Sequence, residues 1–494
     1  MTCPIEPGMV YAMMRASVVL PCLLAFAASA YAQAPGANPL AHYISVDAPV
    51  VALEHVELID GTGGPAASDQ TIVISHGKVA AMGADAGVAV PAGAKVLDLK
   101  GRTVYPGLVG MHEHLFYTEP STRELSGLVV GELVDTAPRL YLAAGVTTAR
   151  TTGSISPYTD LNIKKEIDAG HVPGPDLDVT GPYLEGNPPL IPQMHVLTGP
   201  EDARRMVDYW VDEGVTSWKA YMHIAPAELK AAIDEAHAKG EKLTGHLCSV
   251  GFTEAAEMGI DDLEHGIAVD TEFTPGRKEG ECPAGVMPYL AEHVEMNSAP
   301  VMAMIHELVR KHVAVTSTLA VLESMAPGHP PMATLLQERD SLPPAAWSSV
   351  LTIRSMIQER GAKSEWPVML KKEMQFEREF VAAGGLLLAG CDPTAYGAVL
   401  PGFGDERNLE LLVRAGFTPE QAIEIATRNG AEYLGRAERI GTIAVGKQAD
   451  LVVVKGDAAR DISAVEHVET VFKNGVGFDS AKLIESIHGM VGFR

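Results

Sequence analysis

Between Val104 and Gly390 the chain repeats one pattern eight times, a short apolar run followed by a helical or loop-like stretch. The apolar runs lie near Val104–Met111, Val146–Arg150, Asp176–Thr180, Val215–Tyr221, Lys242–His246, Asp262–His265, Val313–Thr318 and Leu386–Gly390. Helical spacing follows several of them, over Glu201–Glu213, Pro226–Lys239, Pro300–Lys311 and Val368–Ala383. Strands alternating with helices argue for a parallel sheet with crossover helices. Eight units in roughly 320 residues fit an α/β fold, a (β/α)8 TIM barrel with insertions. A doubly wound open sheet is the alternative, but no Gly-rich phosphate turn follows the first strand.

The two ends of the chain read differently. From about Val50 to Val104, alternating runs such as Val51–Asp60 and Thr71–Ser75 are separated by Gly-rich turns, the pattern of short β-strands. Strand patterns return at Leu451–Val454 and Val468–Val476. The two ends are therefore expected to pair into one small β-sandwich domain, with 33–104 and 436–494 as its parts and 105–435 as the barrel. Two stretches break the barrel rhythm, Glu272–Glu295 and the Pro-rich Glu323–Pro367. Both follow late strands, so both are expected over the C-terminal face as a lid or collar.

The first residues resemble neither part. Arg15 precedes an apolar run, Ala16–Ala28, and then Ser29-Ala-Tyr-Ala32-Gln33 supplies a small-x-small site. That layout predicts a signal peptide over 1–32, cleaved after Ala32, with Met13 or Met14 as alternative starts, and a secreted or periplasmic protein. The run is too short to span a bilayer comfortably. Cys3 and Cys22 would leave with this leader, so Cys248, Cys282 and Cys391 remain. Three cysteines allow at most one bridge. Cys248 and Cys391 sit beside proposed metal ligands, which favours burial near the site over bridging. The net charge of −25 disfavours nucleic acid and anionic membrane surfaces as partners; a homo-oligomer is left open.

The chemistry-bearing residues fall at strand ends. In Pro106-Gly-Leu-Val-Gly-Met-His112-Glu-His114, the two histidines are two apart, so both imidazoles can point to one side of a strand while Glu113 points away. Lys219 lies near the end of the fourth run, sharing a face with Val215, Ser217 and Tyr221. A lysine inside a barrel is costly to bury unpaired; it must find an acidic neighbour or become a carboxylate by carbamylation. His246, His265 and Asp392 end the fifth, sixth and eighth runs. Barrels place catalytic groups at this face, and imidazole with carboxylate suits zinc and similar ions.

With this ordered set the chain resembles the amidohydrolase superfamily in its two-metal form. The likeness also includes Glu264-His265-Gly, Gly390-Cys-Asp392-Pro and the return segment Gly441–Val453. Within the superfamily it looks similar to imidazolonepropionase-like and prolidase-like enzymes. The resemblance implies two divalent ions, expected to be zinc. It assigns His112 and His114 to the more buried ion and His246 and His265 to the more exposed one. It makes a carboxylated Lys219 the bridge and sets Asp392 against the bridging hydroxide. The implied activity is hydrolysis of a C–N amide bond in a small molecule such as an N-acyl amino acid or dipeptide. A shared water of lowered pKa attacks, and Asp392 passes its proton to the leaving amine.

Substrate contacts are read from position. Tyr221 is the candidate oxyanion donor and His223 a second. Arg150 is the candidate partner for a substrate carboxylate, with an ion pair in the barrel rim as the other reading. Tyr183 and His195, in the loop after the third strand, are further contacts. Three rivals stay open: lactone or cyclic-amide hydrolysis at the same site, a mononuclear deaminase, and a non-catalytic binding protein. The deaminase reading lacks the Glu it needs after His246.

Overall fold

Eight short parallel strands carry the site: β1 (Leu108–Glu113), β2 (Val146–Thr151), β3 (Asp176–Val179), β4 (Ser217–Ala220), β5 (Lys242–Gly245), β6 (Asp262–Glu264), β7 (Ala314–Ser317) and β8 (Leu387–Ala389). β1 and β2 are buried along their whole length, as strands covered on both faces must be. Hydrogen bonding orders them as β3-β2-β1 and β4-β5-β6-β7-β8, parallel throughout. A parallel bridge between Thr180 and Ser217 joins β3 to the start of β4. At the other edge, the Asp392 amide just beyond β8 donates to the His112 carbonyl on β1 at 2.9 Å. Gly390 permits that approach, because a Cβ there would lie 2.2 Å from the His112 nitrogen.

The computed structural model describes residues 38–120 and 128–493. The predicted leader, 1–32, lies outside them. From Pro39 onward the chain is one compact unit. No helix among the described residues is long and apolar enough to cross a membrane.

Helices at Pro157–Asp168, Pro200–Glu213, Pro226–Ala238, Phe252–Met258, Ala299–Arg310 and Trp366–Ala382 follow strands as crossovers. Proline stands at the first or second helical position of five of these six, where its missing N–H costs nothing. Their apolar faces, with Leu161, Val207, Ile233, Ile305 and Phe380 among them, join one core with the strand residues Leu177, Trp218, Leu243, Leu263 and Val315.

Strands from both chain ends pair in a second, nine-stranded sheet. Leu451–Lys455 runs antiparallel to Arg102–Pro106 on one side and to Val468–Lys473 on the other. Alternation sorts its faces: Leu451 and Val453 pack with Val51, Ile72 and Phe472, whereas Val452 and Val454 join the core of the parallel strands. The single strand expected over Val104–Met111 is therefore two. Arg102–Pro106 belongs to the terminal sheet and β1 begins at Leu108, because Gly107 turns the chain and its amide donates to the Asp450 carbonyl instead.

The two irregular stretches contain helices that sequence spacing only partly marked. Val286–His293 lies in the first, and Met332–Glu338 and Pro344–Arg360 in the second. Cys248, just after β5, forms a disulfide with Cys282. This corrects the expectation of buried unbridged thiols: the segment 272–295 folds back over β5, a placement that no local spacing encodes. Cys391 is free and buried.

Candidate active site

The end of β1 sets the first two ligands. His112 and His114 point to the same side, and Glu113 points away, where its carboxyl accepts from the Cys391 thiol at 3.0 Å and the Cys391 amide at 3.3 Å. His112 is fully buried, and its Nδ1 lies 2.7 Å from Glu264 Oε2. That partner fixes the ring and turns Nε2 inward, to 2.9 Å from Lys219 Nζ and 3.7 Å from Asp392 Oδ1. His114 Nε2 lies 3.3 Å from the same Asp392 oxygen, and its ring stacks on Phe116 at 4.4 Å.

The later strands complete the cup. His265 Nδ1 lies 2.7 Å from Thr318 Oγ1, so its Nε2 also faces Asp392, at 3.8 Å from Oδ2. The ligating atoms of His112, His265 and Asp392 all fall within 4.8 Å of one another. His246 packs its ring 4.5 Å from that of His265 and 5.0 Å from Tyr221. His265 and Asp392 both have positive φ, 65° and 48°. Left-handed backbone at a non-glycine residue costs on the order of 1–3 kcal/mol, and here it occurs at two positions whose side chains converge.

Burial controls the protonation of this cup. It pushes His112, His246 and His265 well below the usual imidazole range, and His114 in the same direction. Burial thus favours the neutral imidazole, the form that ligates metals. Burial alone raises the Asp392 carboxyl, but the surrounding His112, His114 and His265 outweigh it and hold Asp392 well below its ordinary range. Lys219 is 1% exposed, and burial lowers its amine to about 8. Among the described residues, no carboxylate lies within ion-pair distance of its Nζ; His112 Nε2 is its hydrogen-bonding neighbour. Neutral nitrogens and one carboxylate, with His112 oriented from behind by Glu264 and His265 by Thr318, fit a divalent cation of the zinc type.

His112, His114, Lys219, His246, His265, Asp392, Tyr183 and Tyr221 all line one cavity of about 660 Å³. Tyr183 and Tyr221 meet edge to face at 4.9 Å. Burial pushes the Tyr221 phenol up, so its hydroxyl stays a donor.

Three sequence expectations fail here. Arg150 does not reach the cavity. Its Nη2 pairs with Asp262 at 2.7 Å and Glu264 at 2.9 Å, and its Nε donates to the Met111 carbonyl. With two buried carboxylates as partners it is the ion-pair residue, not the substrate clamp. His223 turns away as well: its amide donates to Glu185 Oε1 at 2.7 Å and its ring lies 3.7 Å from Glu185 Oε2. His195 faces Asp202 at 3.2 Å, outside the cavity.

Sequence reasoning missed Glu264 and Thr318 as the groups that orient two of the histidines. Asp262 and Glu264 share one face of β6 by alternation, a signal for an inward acidic pair. Thr318 carried no local signal. It also missed the apolar wall of the cavity, which Met287, Val321, Leu322, Met325 and Trp366 supply from segments distant in sequence.

A buried histidine–aspartate cup at the ends of parallel strands defines a metal-binding protein of the α/β class. Residues 103–477 match the amidohydrolase family, and the chain belongs to that family. An imidazolonepropionase of Parabacteroides distasonis is 30% identical over 104 residues, 19% of this chain and 25% of that protein, so the matched stretch spans a quarter of its length. A D-hydantoinase of Streptomyces coelicolor is 24% identical over 422 residues, 80% of this chain and 84% of that one. A crystal structure of a Xaa-Pro dipeptidase with bound methionine in the active site superposes with a TM-score of 0.63 at 18% identity, covering 87% of this chain and all (100%) of the other.

Proposed function

We propose that the protein is a metal-dependent hydrolase that cleaves a C–N amide bond in a small molecule. The observation that carries this reading is the convergence of His112, His114, His246, His265, Lys219 and Asp392 on one cavity. Family membership and the D-hydantoinase and dipeptidase likenesses support it. The same reading closes the eight parallel strands into a (β/α)8 barrel and folds the terminal sheet into a sandwich. The Thr180–Ser217 bridge and the bond from Asp392 to His112 support closure.

His112 and His114 would hold one divalent ion, His246 and His265 a second, with Lys219 and Asp392 between them; zinc suits this donor set. Such ions supply an acidified water and polarise the scissile carbonyl. Lys219 is proposed to be N6-carboxylated. A buried amine lowered to about 8, without a carboxylate partner, has a far larger neutral fraction near pH 7–8 than an ordinary lysine, and the neutral amine is the form that adds carbon dioxide. Asp392 takes the proton of the attacking water and delivers it to the leaving nitrogen. Tyr221 donates its hydroxyl to the oxyanion that develops on the carbonyl.

We further propose that the protein is exported, with residues 1–32 removed. The Cys248–Cys282 disulfide supports an oxidising compartment.

A screen of the zinc-loaded protein against N-acyl amines, N-acyl amino acids, dipeptides, lactams and lactones tests the activity. Turnover of an open-chain amide, abolished by chelation and restored by metal, is the expected outcome. Full metal content with turnover of none of them contradicts it, and turnover of lactones or lactams alone moves the assignment to cyclic substrates.

A further inference from the structure

The cavity wall beyond the cup is almost entirely uncharged. Leu247, Met287, Val321, Leu322, Met325 and Trp366 face it, drawn from the end of β5, from 272–295 and from both ends of the long stretch after β7. Among the described residues, the charged side chains that line it are Lys219 and Asp392, both in the cup. Arginine does not occur in the lining, since Arg150 is bound to Asp262 and Glu264. The other polar side-chain groups there are the hydroxyls of Thr118, Tyr183, Tyr221, Thr271, Thr394 and Tyr396 and the indole N–H of Trp366.

Outside the cup, a substrate carboxylate against this wall would lose its hydration and meet no lysine or arginine among the described lining residues, a costly exchange. An apolar group faces no such cost. A cavity of about 660 Å³ holds a drug-sized molecule, and burial of its apolar surface against these side chains drives binding.

We propose that the site takes neutral amides with a bulky apolar acyl or amine group, and discriminates against amides that carry a free carboxylate on that group. This rests on the amide-hydrolase reading and narrows its substrate class away from N-acyl amino acids and dipeptides. Trp366, half-buried at the start of its helix, and Met325 are the specificity-determining residues, because they are large apolar side chains that line this wall.

The test is a matched pair, N-phenylacetyl-benzylamine and N-phenylacetyl-phenylglycine, which differ by one carboxylate. On the zinc-loaded enzyme, kcat/KM for the neutral compound is expected to exceed that for the acid at least tenfold. Replacing phenylacetyl by acetyl is expected to raise KM at least tenfold. Calorimetric binding of the same compounds gives the same ranking whether or not they turn over. Trp366→Ala is expected to weaken binding of the neutral compound several-fold. Equal or tighter binding of the acid, or indifference to acyl size, overturns the proposal. Turnover with the acid preferred overturns this inference and leaves the hydrolase reading standing. The expected binding preference in a zinc-loaded protein without turnover of any amide supports the wall and removes the hydrolase.

Discussion

Two groups of polar side chains meet at Glu264, and they differ in what they leave unsatisfied. In the first, Arg150, Asp262, Glu264, Thr244 and Thr316 bond almost wholly to one another and to backbone. In the second, His112, His114, His265 and Asp392 are held from behind or by each other but keep ligating atoms turned to a cavity. Both consist of buried polar residues on strand ends of the same parallel array. A saturated network holds shape, whereas a cup of converging unsaturated atoms is equipped for ions and a substrate. Glu264 links the two, with one oxygen on Arg150 and the other on His112.

The sharpest way to break this distinction is to exchange the expected losses. Asp392→Asn keeps the shape of the cup but removes its proton acceptor, so kcat is expected to fall roughly 10²–10⁴-fold with little change in thermal stability. Arg150→Met does the reverse. It leaves Asp262 and Glu264 buried without their cation, and denaturant melts should find it about 3–5 kcal/mol less stable. A variant at Arg150 that stays stable while losing affinity for carboxylated substrates alone would return this residue to the substrate site.

The disulfide lies on the cavity side of the comparison. Replacing both Cys248 and Cys282 with Ala should lower stability by about 2–4 kcal/mol and raise KM more than it lowers kcat, because the tether holds the wall and not the cup. Steady-state kinetics beside melting curves checks the split.

Glu377 sharpens the comparison least in size but most cleanly in pH. Burial raises its pKa to about 8, against the opposing effect of the Ser317 hydroxyl. A folded-state pKa above the unfolded value means stability present at low pH and lost as pH rises from about 4.5 to about 8. Glu377→Gln removes that loss. The variant should gain on the native chain as pH rises across the window, read as the difference between melts at pH 5 and pH 8.

The sequence made parts of this legible for a physical reason. His112, His114, Lys219, His246, His265 and Asp392 could be chosen because strand alternation and strand ends are local signals, and a parallel array carries its strand ends to one face. The strands and main crossover helices were legible for the same reason. Arg150 was misjudged because its partners stand 112 and 114 positions away. The Cys248–Cys282 bridge depends on how the segment after β6 folds back. The split at Pro106-Gly107 depends on a strand from the other end of the chain, Leu451–Lys455. Each of these is set by tertiary pairing that no local pattern records.

Metal content per chain, measured on purified native protein and on Lys219→Ala after identical zinc loading and desalting, bears on the cup most directly. The account predicts close to two ions in the native chain and one or fewer in the variant, with activity lost in parallel. Two ions retained without Lys219, or full amide hydrolysis by a chain holding no stoichiometric metal, would contradict it.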